Sequence, residues 1–149
     1  MSDELQNDAE SAEAASAAIV LVVEDDKLTR DAVARRLNAE GYEIIAVPSA
    51  GDALIVAQRV PFHVLVLDLH LMDGDPFSGL HEGMAVLDWL RVQFGGQFPF
   101  KIVIHTSQND PRLMAQAEAN GAFAYCIKRR DMNNLIRCVG EAIDSLRAA

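Results

Sequence analysis

The chain has little of several things that would send its reading elsewhere. Only two cysteines occur in 149 residues, Cys126 and Cys138, with no metal-type spacing, which excludes a disulfide scaffold or a zinc ribbon. They fall in an expected strand and an expected helix and read as reduced core or near-core thiols. No apolar run approaches the roughly 18 residues that cross a bilayer, and the first residues lack a basic, hydrophobic leader. A cytoplasmic protein without membrane insertion is therefore the expectation. Positive charge is scarce as well: 13 Lys and Arg face 22 Asp and Glu, a net charge of −9. The single basic cluster, Lys128-Arg129-Arg130, is too short for a surface that binds phosphate backbones, so direct nucleic-acid binding is not expected.

What is present divides in two. Residues 1–18 carry Asp3, Glu4, Asp8, Glu10 and Glu13 and no basic residue, the composition of a mobile acidic tail rich in Ala and Ser. Residues 19–149 form one domain, long enough for one core. Ile19–Val23, Tyr42–Val47, His63–Leu67, Lys101–His105 and Phe123–Ile127 are short, apolar and β-branched, the pattern of buried parallel strands. Helical stretches separate them. The first runs from Lys27 to about Glu40, with Asp26 as N-cap and Gly41 after its end. The second starts behind an N-cap at Ser49, and the third buries Leu87, Leu90 and Phe94 with Trp89 on its flank. The fourth has Pro111 at its first position and closes at Gly121. The last carries the stripe Leu135, Val139, Ile143 and Leu146. This is a (βα)5 pattern, an α/β sandwich of three layers around a five-stranded parallel sheet.

The chemistry sits at the ends of the strands. Glu24 and Asp25 follow the first, Asp68 the third, Thr106 the fourth and Lys128 the fifth. In an open α/β sheet the carboxyl ends of the strands are where functional groups gather. A carboxylate such as Asp68 can attack phosphorus and become an acyl phosphate. Neighbouring carboxylates would repel that phosphate unless a hard cation intervenes, and Mg²⁺ takes one or two carboxylates plus waters and phosphate oxygens. Asp25 and Asp68 are the expected direct ligands, with Glu24 acting through water and the backbone carbonyl of His70 adding an oxygen. Lys128 offers a point charge, and Thr106 a hydroxyl, to the phosphate oxygens.

The runs Val22-Val23-Glu24-Asp25-Asp26, Val66-Leu67-Asp68-Leu69, Ile104-His105-Thr106-Ser107 and Tyr125-Cys126-Ile127-Lys128 resemble the receiver domain of two-component response regulators over roughly residues 18–147. The resemblance implies a flavodoxin-like fold with strand order 2-1-3-4-5, an order for which a receiver relative is itself a standard example. It also implies Mg²⁺-dependent transfer of a phosphoryl group to Asp68 from a histidine kinase or a histidine phosphotransfer protein. Thr106 and Tyr125 stand at the positions that move together on activation, and His70 and Gln108 at positions that tune the lifetime of the acyl phosphate. Such a protein is a phosphoacceptor rather than an enzyme, assisting only its own phosphorylation and slow dephosphorylation.

Two departures accompany the resemblance. Arg129 stands where receivers usually carry a proline after the lysine, often with a cis peptide. A non-proline cis bond costs about 2.5–4 kcal/mol, so another path after the fifth strand is expected, with Lys128 displaced accordingly. The loop from Leu69 to Glu82 is also long before the helix-starting Gly83. It holds Met72 where proline is frequent, and His70, Asp73, Asp75 and His81 form only a weak metal-ligand set. The leading expectation is a stand-alone receiver that signals by protein contact or phosphorelay to a downstream protein target. The alternative is a pseudo-receiver, a scaffold that is never phosphorylated. A phosphohydrolase is disfavoured, since no acid–base residue or cap is evident.

Overall fold

The computed structural model describes residues 17–70 and 82–148. Strands and helices alternate: β1 (Ile19–Val23), α1 (Lys27–Ala39), β2 (Glu43–Val47), α2 (Ala50–Arg59), β3 (Val64–Leu67), α3 (Glu82–Phe94), β4 (Lys101–Thr106), α4 (Pro111–Ala119), β5 (Ala124–Ile127) and α5 (Asn133–Ala148). The strands make one parallel sheet in the order β2-β1-β3-β4-β5. The flavodoxin-like (βα)5 arrangement expected from the sequence is thus the arrangement found.

Period-two alternation divides the strand side chains between two cores. Leu21, Val23, Leu65, Leu67, Ile102 and Ile104 face α2, α3 and α4, where Ala53, Leu87, Leu90 and Ala117 meet them. Val20, Val22, Val64, Val66 and Val103 face α1 and α5, against Val33, Leu37, Leu135, Val139 and Ile143. Burying each of these larger side chains contributes about 1.5–3 kcal/mol. Both faces of the central strands are covered, which is why the runs are continuously apolar.

Local chemistry sets the element ends. The Asp26 carboxylate accepts from the Thr29 N–H at 2.9 Å, and Ser49 Oγ accepts from the Asp52 N–H at 3.1 Å; both are the N-caps read from the sequence. β2 begins at Glu43 rather than Tyr42 because the Tyr42 N–H donates to the Leu37 carbonyl, 3.4 Å, while Gly41 donates to Asn38, 2.9 Å. That six-to-one and five-to-two pair is a Schellman cap, and Gly41 supplies its positive φ of 97°. The same pair recurs after α4, where Ala122 donates to Ala117 and Gly121 to Glu118. Phe94 and Leu146, expected in the core stripes, are only half-buried; Phe94 instead packs edge-on against Phe98 and Phe100. Residues 1–16 of the acidic tail and the loop residues Met72, Asp73, Asp75 and His81 lie outside the described residues, while Ala18 is buried and its carbonyl accepts the Glu43 N–H.

Candidate functional site

Three of the five strand-end residues are delivered to the same edge of the sheet by a backbone bond that continues the ladder. The Glu24 N–H donates to the Val47 carbonyl (3.1 Å), Asp68 to Val23 (3.2 Å) and Lys128 to Thr106 (2.8 Å). Carboxylate oxygens of Glu24, Asp25 and Asp68 come within 4.8 Å of one another. Lys128 Nζ donates to Asp68 Oδ2 at 2.8 Å and to Glu24 Oε1. Glu24, Asp68 and Thr106 are all buried.

Three carboxylates face one ammonium, so the pocket is short of positive charge. Burial pushes the Glu24 carboxyl up to about 7, against the pull of Lys128. Burial also acts to lower the Lys128 ammonium, but its hydrogen bonds to Asp68 and Glu24 outweigh it and hold that pKa above the ordinary value. An all-oxygen donor set with excess negative charge fits a hard divalent cation such as Mg²⁺, which keeps part of its water shell. The Lys128 ammonium supplies part of that missing charge.

Arg129 leaves Lys128 within reach of the site. The described residues contain no cis peptide bond, and Lys128 still reaches both carboxylates, because its long stem carries the ammonium back from the end of β5. His70 is exposed; its N–H donates to Asp68 Oδ1 at 3.0 Å. Gln108 donates its N–H to Thr106 Oγ1 at 3.3 Å, and its carbonyl accepts the Tyr125 hydroxyl at 2.6 Å. A continuous chain of bonds therefore joins Tyr125 to Thr106 through the Gln108 backbone.

Three contributors escaped the sequence reading or were only half seen. Arg30 donates from its guanidinium to the Glu24 carbonyl (3.0 Å) and the Asp25 carbonyl (3.3 Å), clamping the loop that presents both acids. Its only signal was a position one turn into α1. His105 is buried beside the pocket, and desolvation, aided by Lys128, lowers it from 6.5 to about 4. The sequence placed it only as the last residue of the fourth apolar run, where its chemistry did not stand out. Gly83, noted only as a helix start, packs directly on the site. A Cβ there would lie 2.1 Å from the Asp68 carbonyl oxygen.

A doubly wound parallel sheet with an acidic pocket and one lysine at its carboxyl edge defines a flavodoxin-like α/β protein of the receiver kind. The family profile described as the response regulator receiver domain matches residues 20–140, and the chain belongs to that family. Among curated proteins it is 31% identical over 109 residues to the two-component response regulator PhoP of Pseudomonas aeruginosa, covering 73% of this chain and 44% of that one. It is 28% identical over 139 residues to the transcriptional regulatory protein PdtaR of Mycobacterium tuberculosis, 91% of this chain and 62% of the relative. It is also 41% identical over 68 residues to a protein-glutamate methylesterase/protein-glutamine glutaminase of Anaeromyxobacter dehalogenans, 44% of this chain but 20% of that protein. The chain thus spans less than two thirds of the length of each of these relatives. Among solved structures, a CheY-like receiver domain protein of Methanospirillum hungatei superposes with TM-score 0.76 at 24% identity, over 89% of this chain and 98% of that one. The receiver domain of Francisella response regulator 1452 gives 0.74 at 20% identity, over 86% and 98%. Receiver domains are phosphoacceptors that bind Mg²⁺ at an acidic pocket and interact with histidine kinases. No helix among the described residues is long and apolar enough to cross a membrane.

Proposed function

We propose that Asp68 accepts a phosphoryl group from the phosphohistidine of a histidine kinase or a histidine phosphotransfer protein, and that the protein signals by contact with a downstream protein or by phosphorelay. The observation that carries this reading is the Lys128 ammonium at 2.8 Å from Asp68 Oδ2 inside a three-carboxylate pocket. In the transfer, an Asp68 carboxylate oxygen bonds to phosphorus as the phosphorus–nitrogen bond breaks, and the imidazole leaves with the electron pair. Glu24, Asp25, Asp68 and the His70 carbonyl are the proposed Mg²⁺ ligands. The ion would neutralise charge on the transferring group.

The chain's own residues do the rest. The His70 N–H orients the Asp68 carboxylate, and Arg30 fixes the β1–α1 loop. Lys128 can exchange its carboxylate partner for a phosphate oxygen, and the Thr106 hydroxyl can donate to another. Drawing Thr106 towards the phosphate pulls on its bond from Gln108, and so on the carbonyl that holds Tyr125. The charge change is thereby coupled to the surface formed by α4, β5 and α5. His70 and Gln108 are proposed to tune the lifetime of the acyl phosphate. Replacing either with Ala should change the decay rate several-fold while leaving phosphorylation intact.

Intact mass after incubation with acetyl phosphate and Mg²⁺ tests the reading. One added phosphoryl group on the wild type, absent from Asp68→Ala and absent without Mg²⁺, is the expected result. An unmodified wild type that also fails to bind beryllofluoride with Mg²⁺ would leave the scaffold reading in its place.

A further inference from the structure

Away from the acidic pocket, the sheet and α5 bring the chain's two cysteine sulfurs into contact. Cys126 stands in the middle of β5 and turns towards α5, where Cys138 meets it; both are free and buried. The Cys126 thiol lies 2.8 Å from Cys138 Sγ, and 3.8 Å from the Asn134 carbonyl oxygen. A disulfide needs a sulfur separation of about 2.05 Å, so less than an ångström of movement separates contact from bond. The surroundings, Val103, Leu135, Val139 and Ala142, are apolar and belong to the same cluster.

We propose that Cys126 and Cys138 form a reversible dithiol–disulfide site, oxidised by hydrogen peroxide. Cys138 is the entry point because it keeps 7% of its surface exposed against 1% for Cys126. The Cys138 sulfur attacks one peroxide oxygen, the O–O bond breaks, and the departing hydroxide takes a proton to leave as water. Cys138 is then a sulfenic acid. The Cys126 sulfur displaces its hydroxyl: an S–S bond forms, the S–O bond breaks, and a second water leaves. Two thiols lose two electrons in all, and one peroxide gains them. Burial, and then the adjacent Cys138 thiol, push the Cys126 thiol up, which leaves little thiolate there for the first attack; its part in the resolving step rests on contact, with Cys138 Sγ 2.8 Å away. The bond would tie α5 to the strand that ends beside Lys128.

The test uses the full chain treated with hydrogen peroxide, alkylated under denaturing conditions, weighed intact and mapped after digestion. The expected result is loss of two hydrogens from the wild type, a linked Cys126–Cys138 peptide pair, and full recovery of both alkylatable thiols with dithiothreitol. The single variants Cys126→Ser and Cys138→Ser should not lose two hydrogens. A wild type that keeps both thiols, gains oxygen without a link, or joins two chains through a disulfide would overturn the proposal. Because the readout is covalent and needs neither Mg²⁺ nor phosphate, its failure is distinct from failure of the phosphoacceptor reading.

Discussion

At the scale of single residues, burial decides most of the chemistry. His105 is held neutral in the fold, at about 4 against an ordinary 6.5. A histidine with a depressed pKa contributes its full stability above pH 6.5 and loses it as the pH falls through about 4. That difference corresponds to about 3 kcal/mol. Urea titrations of wild type and His105→Gln across this window should therefore show the wild type losing about that much relative to the variant as acid is added. Parallel curves would refute the assignment. Tyr125→Phe tests the bond to the Gln108 carbonyl at 2.6 Å. It should cost about 1 kcal/mol and weaken any response of the α4–β5–α5 face to phosphorylation, read as chemical-shift changes in α5.

At the scale of elements, the start of α3 packs directly on the residues that follow β3. Gly83 donates its N–H to the Leu69 carbonyl at 3.2 Å, and a Cβ there would meet the Asp68 backbone at 2.1 Å. No flexible side chain can yield to relieve that clash. Gly83→Ala is therefore expected to cost about 2 kcal/mol or more and to weaken Mg²⁺ binding by shifting Asp68. Gly51→Ala is the control. It lies within α2, its added Cβ would find nothing nearer than Ser49 Oγ at 3.9 Å, and it should gain about 0.5–1 kcal/mol. Equal effects of the two substitutions in thermal melts would show that glycine entropy, not the close approach, governs the joint.

At the scale of the whole molecule, the pocket holds carboxylates together at a cost in repulsion and desolvation that a divalent cation would relieve. A ligand that binds only the folded state stabilises it by about 2.7 kcal/mol at a hundredfold excess over its Kd. Melting with and without Mg²⁺ should show such a gain in the wild type. Asp68→Ala should lose the gain while keeping its metal-free stability, since Lys128 retains Glu24 as a partner. An unchanged Mg²⁺ response in that variant would remove Asp68 from the ligand set.

The alternation of apolar strands with helical stripes, the caps at Asp26 and Ser49 and the glycine closures at Gly41 and Gly121 were all legible from local patterns, because each follows from backbone chemistry within a few residues. So were Glu24, Asp25, Asp68, Thr106 and Lys128, which the strand-end rule collects without coordinates. Only the tertiary structure showed that Lys128 bridges Glu24 and Asp68 despite Arg129, that Arg30 clamps the β1–α1 loop, that His105 is neutral, and that Cys126 touches Cys138. Except for Arg30, which reaches back only five and six residues, these depend on distance across strands or between sheet and helix, 104 residues apart in sequence for Lys128 and Glu24. Periodicity assigns a side chain to a face of the sheet; packing alone decides which atoms on that face meet and how much water stays between them.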